Sequence, residues 1–130
     1  MGVGPLRWDD GLAAYAQQWT DHLAADGCRM KHRQSRTYGE NLYQGTAGHY
    51  TAVDAAKAWE SEKTLYGGSV ITEKNYGRIG HYTQMVWRDT RGVGCAVQHC
   101  ERGAPFGSGP WTLVVCNYEP PGNVVGRKPY

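Results

Sequence analysis

Five histidines (His22, His32, His49, His81 and His99) and two glutamates (Glu40 in "YGENLYQ" and Glu62 in "WESEK") are the side chains of this 130-residue chain best suited to chemistry. Two imidazoles can hold a divalent ion such as Zn²⁺, with water or a carboxylate completing the shell. An imidazole beside a carboxylate can also move a proton. The spacings offer no ready-made site: the chain has no H-E-x-x-H, no G-x-S-x-G and no glycine loop that would cradle phosphate. Taken singly, each histidine reads as structural and each glutamate as a surface carboxylate. Only convergence in space would change that, so the question passes to the elements that carry them.

Residues 10–26 place Leu12, Tyr15, Ala16, Trp19 and Leu23 on the i, i+3, i+4, i+7 pattern, with Asp9 or Asp10 to cap the helix and Gly27 to stop it. Thr51 followed by Asp54 resembles a capping box and opens a second helix through about Lys63. Residues 64–79 read as a loop. A short helix over 81–88 puts Tyr82, Met85 and Val86 on one face and His81, Gln84 and Arg88 on another. Strands are expected at about 93–99 and 111–118, with a further one near "GENLYQ". The Pro/Gly-rich end, 119–130, reads as an irregular tail. Helices flanking an antiparallel sheet make an α+β sandwich, and 130 residues suit a single domain spanning 1–130.

The four cysteines, Cys28, Cys95, Cys100 and Cys116, contain no C-x-x-C, which argues against structural zinc and thioredoxin-type redox chemistry. If the two strands turn near Pro105–Phe106, Cys95 falls opposite Cys116. Cys95 and Cys100 in one extended strand would stand roughly 16 Å apart, too far to bridge. The pairing expected is therefore Cys95–Cys116 with Cys28–Cys100. The second bridge would close a loop of about 70 residues, worth about 4 kcal/mol in the chain-entropy model. Such a framework indicates a secreted, extracellular protein. A formal charge of +2 with no run of like charges gives no case for nucleic acid. No apolar stretch reaches membrane-spanning length, and "MGVGPLRWDD" lacks a signal-peptide core, so the chain is expected to start after any export signal. Nine Tyr and five Trp against one Phe supply aromatics with polar handles, suited to cleft walls as well as cores.

"GHYTQMVWRDT" (80–90), "LVVCNYEPPGNV" (113–124) and "GENL" (39–42), with "PLRWDD", "CRMKH" and "WESEK" in order between and before them, resemble the signatures of the CAP superfamily: cysteine-rich secretory proteins, antigen 5 and plant pathogenesis-related 1 proteins, the plant-type branch above all. The resemblance implies a three-layer α-β-α sandwich around a central cleft into which His32, Glu40, Glu62 and His81 project. It implies a weak two-histidine zinc site at His32 and His81, with no catalytic residue, since the family has no agreed enzymatic activity. It also implies a secreted, monomeric defence protein that binds a sterol or other lipid, and its disulfides agree with the pairing above. Two other functions are carried beside this one. The first is a precursor releasing the peptide 120–130 at Glu119–Pro120 to a cell-surface receptor. The second is a zinc-dependent hydrolase. The chain departs from the family in two places: the first helix with its H-N-x-x-R motif is missing, and so is a further cysteine pair before "GHYTQ".

Overall fold

The computed structural model describes residues 3–35, 37–46, 52–101 and 109–130. Strand β1 (Arg7–Trp8) leads into helix α1 (Asp10–Ala25), followed by β2 (Gly39–Thr46), α2 (Ala52–Glu60), a 3₁₀ segment (Ser61–Leu65), α3 (Tyr76–Met85), β3 (Gly92–Cys100) and β4 (Trp111–Glu119). The sheet order is β1-β3-β4-β2. β4 pairs antiparallel with both β3 and β2, whereas the two-residue edge strand β1 runs parallel to β3. The central strands are antiparallel as expected, and the parallel β1 adds only a two-residue edge.

β4 explains the layering. As the central strand it is buried on both faces from Trp111 to Tyr118, and its near-continuous apolar run is the pattern such a position demands. Leu113 and Val115 face α1 with Ala16, Leu23 and Ala96. Val114, Cys116 and Tyr118 face the other way, toward Ala55 and Trp59 of α2. Helices thus cover both sides of the sheet. The α1 layer sits close because β3 carries Gly94 beneath it: a Cβ there would lie 2.1 Å from the Ala13 nitrogen and 2.6 Å from the Asp9 carbonyl oxygen.

The N-cap of α1 is Asp9, whose Oδ1 accepts from the Leu12 amide at 3.0 Å, and the chain leaves the helix through Gly27 at φ +81°. Both disulfides form as expected. Cys95 stands directly opposite Cys116 in the β3–β4 register, and Cys28–Cys100 ties the end of α1 to the end of β3. The expected turn at Pro105–Phe106, the Thr51 cap and His49 lie outside the described residues.

Two helix boundaries differ from expectation. α2 ends at Glu60 and tightens into 3₁₀ geometry where an α-helix through Lys63 was expected. α3 begins at Tyr76, so His81 lies in mid-helix rather than at its head, and the helix stops at Met85. The physical reason is a reciprocal clasp ahead of it. The Asn75 Oδ1 accepts from the Thr72 amide at 2.9 Å, and the Thr72 Oγ1 accepts from the Asn75 amide at 3.1 Å. Gln84, expected beside His81 on a polar face, is buried instead; its Oε1 accepts from the Gly122 amide.

Candidate functional site

His32 sits in the segment joining α1 to β2, and Glu40 is the second residue of β2. The Glu40 carboxylate is held from three sides. Oε1 accepts from the His32 Nδ1 and from the Arg33 amide, both at 2.9 Å, and Oε2 accepts from the Asn117 Nδ2 at 3.2 Å. β2–β4 pairing sets Glu40 opposite Asn117, so sheet register places the carboxylate and the chain around His32 comes to it.

His81 is positioned from the other layer. Its Nδ1 donates to Glu62 Oε2 at 2.7 Å, while Glu62 Oε1 accepts from the Tyr82 amide at 3.0 Å. The 3₁₀ segment that carries Glu62 thereby clamps both the ring and the backbone of α3. The Trp59 indole stacks on the imidazole with ring centres 5.9 Å apart and planes at 18°, and is itself fixed by its N–H to the Leu42 carbonyl. Asn41 reaches from β2 to the His81 carbonyl at 3.1 Å, joining the two halves.

A carboxylate can only accept, so each Nδ1 carries a proton, and in the neutral ring Nε2 then holds the lone pair that a metal ligand requires. The carboxylates are the more sheltered partners: side-chain exposure is 9% for Glu40 and 17% for Glu62, against 56% for His32 and 36% for His81. The imidazoles therefore form the open side of each pair. His32, Glu40 and His81 together line a cavity of about 190 Å³ with Asn41 and Tyr76, and Glu62 joins it through the His81 ring. Among the described residues no group of three or more His, Cys, Asp or Glu side chains is arranged to hold a metal ion. The donor set is thus two imidazoles backed by carboxylates, short of the three protein ligands usual for catalytic zinc.

A larger cavity of about 770 Å³ adjoins this one and shares His32 and Glu40 with it. Tyr38, Tyr76, Val124 and Val125 give it apolar walls. Three of these are unusually open for their type: Tyr76 is 48%, Val124 43% and Val125 62% exposed. Ser35 also lines the cavity, but its hydroxyl donates to Thr37 Oγ1 at 3.1 Å and has no imidazole partner among the described residues. Sequence reasoning missed Trp59, Asn41 and Asn117 as positioning groups. The "GEN" and "WESEK" motifs contained the first two signals, whereas Asn117 becomes readable only through the β2–β4 register.

The family model for cysteine-rich secretory proteins matches residues 1–118. Pathogenesis-related protein 1B of Nicotiana tabacum is 45% identical over 130 residues, covering all of this chain and 72% of that protein. Pathogenesis-related protein 1 of Arabidopsis thaliana is 42% identical, covering all of this chain and 73% of its own length. Among solved structures, the crystal structure of NaASP2 with Zn²⁺ aligns with a TM-score of 0.78 at 29% identity, covering 98% of this chain and 66% of that one. Schistosoma mansoni venom allergen-like protein 4 aligns with a TM-score of 0.67 at 27% identity, covering 98% and 74%.

Proposed function

The chain belongs to the cysteine-rich secretory protein (CAP) family, and from that premise we propose that it is a secreted, defence-type binding protein whose ligand is a sterol or another lipid. The observation that carries the reading is the cavity of about 770 Å³ walled by Tyr38, Tyr76, Val124 and Val125. Its size falls in the range of small-molecule sites, and such sites are mostly apolar with a few polar groups to orient the ligand. Exposed valines and a tyrosine around one concavity are costly to leave in water, and an apolar ligand recovers about 25 cal/mol for each Å² it covers. Two disulfides and plant relatives in the pathogenesis-related 1 class support the extracellular, defence-related setting.

The His32–Glu40 pair gives this cavity a polar floor, and His81, backed by Glu62, lines the smaller cavity beside it, the two together making a metal-capable cluster. Bound zinc would be held by His32 and His81 and would supply charge there; Glu40 and Glu62 fix the ring tautomers and orientation. The crystal structure of NaASP2 with Zn²⁺ shows that a structural relative accommodates the ion. Lipid binding should draw on the apolar wall and not on the floor.

Saturable binding of a labelled sterol, competed by the unlabelled compound, tests the assignment. Val124→Asp and Val125→Asp should each weaken binding by about tenfold, from loss of roughly 1.5 kcal/mol of apolar burial. The double variant His32→Ala/His81→Ala should bind nearly as the parent does. Failure of both sterol and fatty acid to bind the folded protein would overturn the lipid reading.

A further inference from the structure

The segment "PLRWDD" plays no part in the cleft, yet it builds a second concavity on the far edge of the sheet. Arg7 and Trp8 form β1, the outermost strand, and a cavity of about 470 Å³ opens beside them. Its framework is rigid. The Arg7 amide donates to the Arg91 carbonyl at 2.9 Å and the Arg91 amide to the Glu119 carbonyl at 2.8 Å, so backbone bonds gather Arg7 of β1, Arg91 just ahead of β3 and Glu119 of β4 at one end of the sheet. Trp8 is 59% exposed, and its indole N–H donates to Asp10 Oδ1 at 3.2 Å, which fixes one edge of the ring and leaves the rest to solvent.

The charges there are unspent. Arg33 is bonded to the Tyr15 carbonyl and lies over the Tyr15 ring, and Arg127 is paired with Asp89. Neither the Arg7 nor the Arg91 guanidinium has an ion-pair partner among the described residues, and Glu119 has none either. Asp9 also lines the cavity, but its carboxylate caps α1, where the positive end of the helix offsets its charge.

We propose that this edge is a binding site for an acidic saccharide, a chain of hydroxylated rings bearing carboxylates. Arg7 and Arg91 line the same cavity, and a guanidinium can grip a carboxylate in bidentate fashion. The open indole offers the flat apolar surface on which the C–H face of a ring stacks. Glu119 accepts from ring hydroxyls.

Calorimetric titration with an oligogalacturonate and with its fully methyl-esterified form tests the proposal, using the protein with every residue of its natural chain. The acidic oligomer should bind in a salt-sensitive way, about tenfold or more tighter than the ester. Trp8→Ala and Arg91→Ala should each weaken binding about fivefold or more. Both side chains are exposed, so the fold, checked by circular dichroism, should be unchanged. Glu119→Gln should tighten the carboxylate-bearing ligand, and Lys57→Ala, a cation on exposed α2 surface, should leave it unaltered. Equal binding of acid and ester, parent-like binding by Trp8→Ala, a matching loss in Lys57→Ala, or tighter binding of adenosine monophosphate would each overturn the assignment.

Discussion

His81 shows how a carboxylate selects what an imidazole can do. Glu62 accepts a hydrogen bond from the His81 Nδ1 at 2.7 Å and anchors the Tyr82 amide with its other oxygen, which leaves Nε2 as the ring nitrogen not engaged by the carboxylate. Zinc titrated calorimetrically at about pH 7.5 should bind modestly. The signal should fall steeply by about pH 5.5, because a protonated imidazole cannot ligate. His81→Ala should abolish most of the heat, and Glu62→Gln should weaken affinity by about tenfold, the usual size of such a second-layer loss. Parent-like zinc binding by His81→Ala would remove His81 from any metal site and leave a polar cluster that organises the cleft. The four residues were nameable from motifs, yet nothing in their spacing links His32 to Glu40 or His81 to Glu62. The pairs depend on where β2 and the 3₁₀ segment lie. Asn117 was invisible for the same reason, since a cross-strand amide has no signature until register is known, whereas Trp59 stood in "WESEK" with only its stacking role unread.

The elements were legible wherever a periodic apolar stripe met a clear stop, as in α1 with Asp9 and Gly27. α3 was misjudged because its first turn holds Gly77, and its inward face holds Gly80, Thr83 and Gln84 where apolar residues are usual. Burial there is satisfied by hydrogen bonds to the tail instead, such as Thr83 Oγ1 to Asn123 Oδ1 at 2.6 Å. The Thr72–Asn75 clasp was the readable start signal. The parallel edge strand β1 was missed because two residues carry no period. What holds α1 to the sheet is equally specific, since Gly94 leaves only enough room for hydrogen beneath the helix. Gly94→Ala should therefore cost about 3 kcal/mol or more, at the upper end for overpacking, because the atoms in the way are backbone and cannot change rotamer. Urea denaturation measures this directly. A loss under about 1 kcal/mol would mean that α1 shifts freely on β3.

The molecule as a whole is closed by the segment beyond β4. Beyond β4 the chain runs back across α3 and the loop before it: Thr90 Oγ1 donates to the Pro120 carbonyl, the Ile71 amide to the Arg127 carbonyl, and the Arg88 amide to the Pro129 carbonyl at 2.7 Å. The Tyr130 hydroxyl shares a hydrogen bond with that of Tyr82 at 2.9 Å, with Tyr66 packed against both rings. A tail fastened in this way is a strap, and release of 120–130 from the native protein would first require several of these bonds to open together. Val124 and Val125 contribute little to the fastening; they stay exposed and form cavity wall. Limited proteolysis should accordingly leave Glu119–Pro120 intact while the domain is folded. Tyr130→Phe combined with Arg127→Ala should speed tail cleavage by about tenfold, since each lost contact contributes about 1 kcal/mol or less. Burial, reinforced by the Tyr130 hydrogen bond, raises the Tyr82 phenol above its ordinary 10.0, and burial does the same for Tyr118. The native state thus holds protons that the unfolded chain gives up near pH 10, so the stability from these phenols is complete below that pH and declines as pH rises above it. Tail protection should hold through neutral pH and weaken above about pH 10, with a shallower decline in Tyr118→Phe. Rapid release of the peptide from the folded parent protein at neutral pH would show instead that the strap opens on its own, and would favour a peptide precursor.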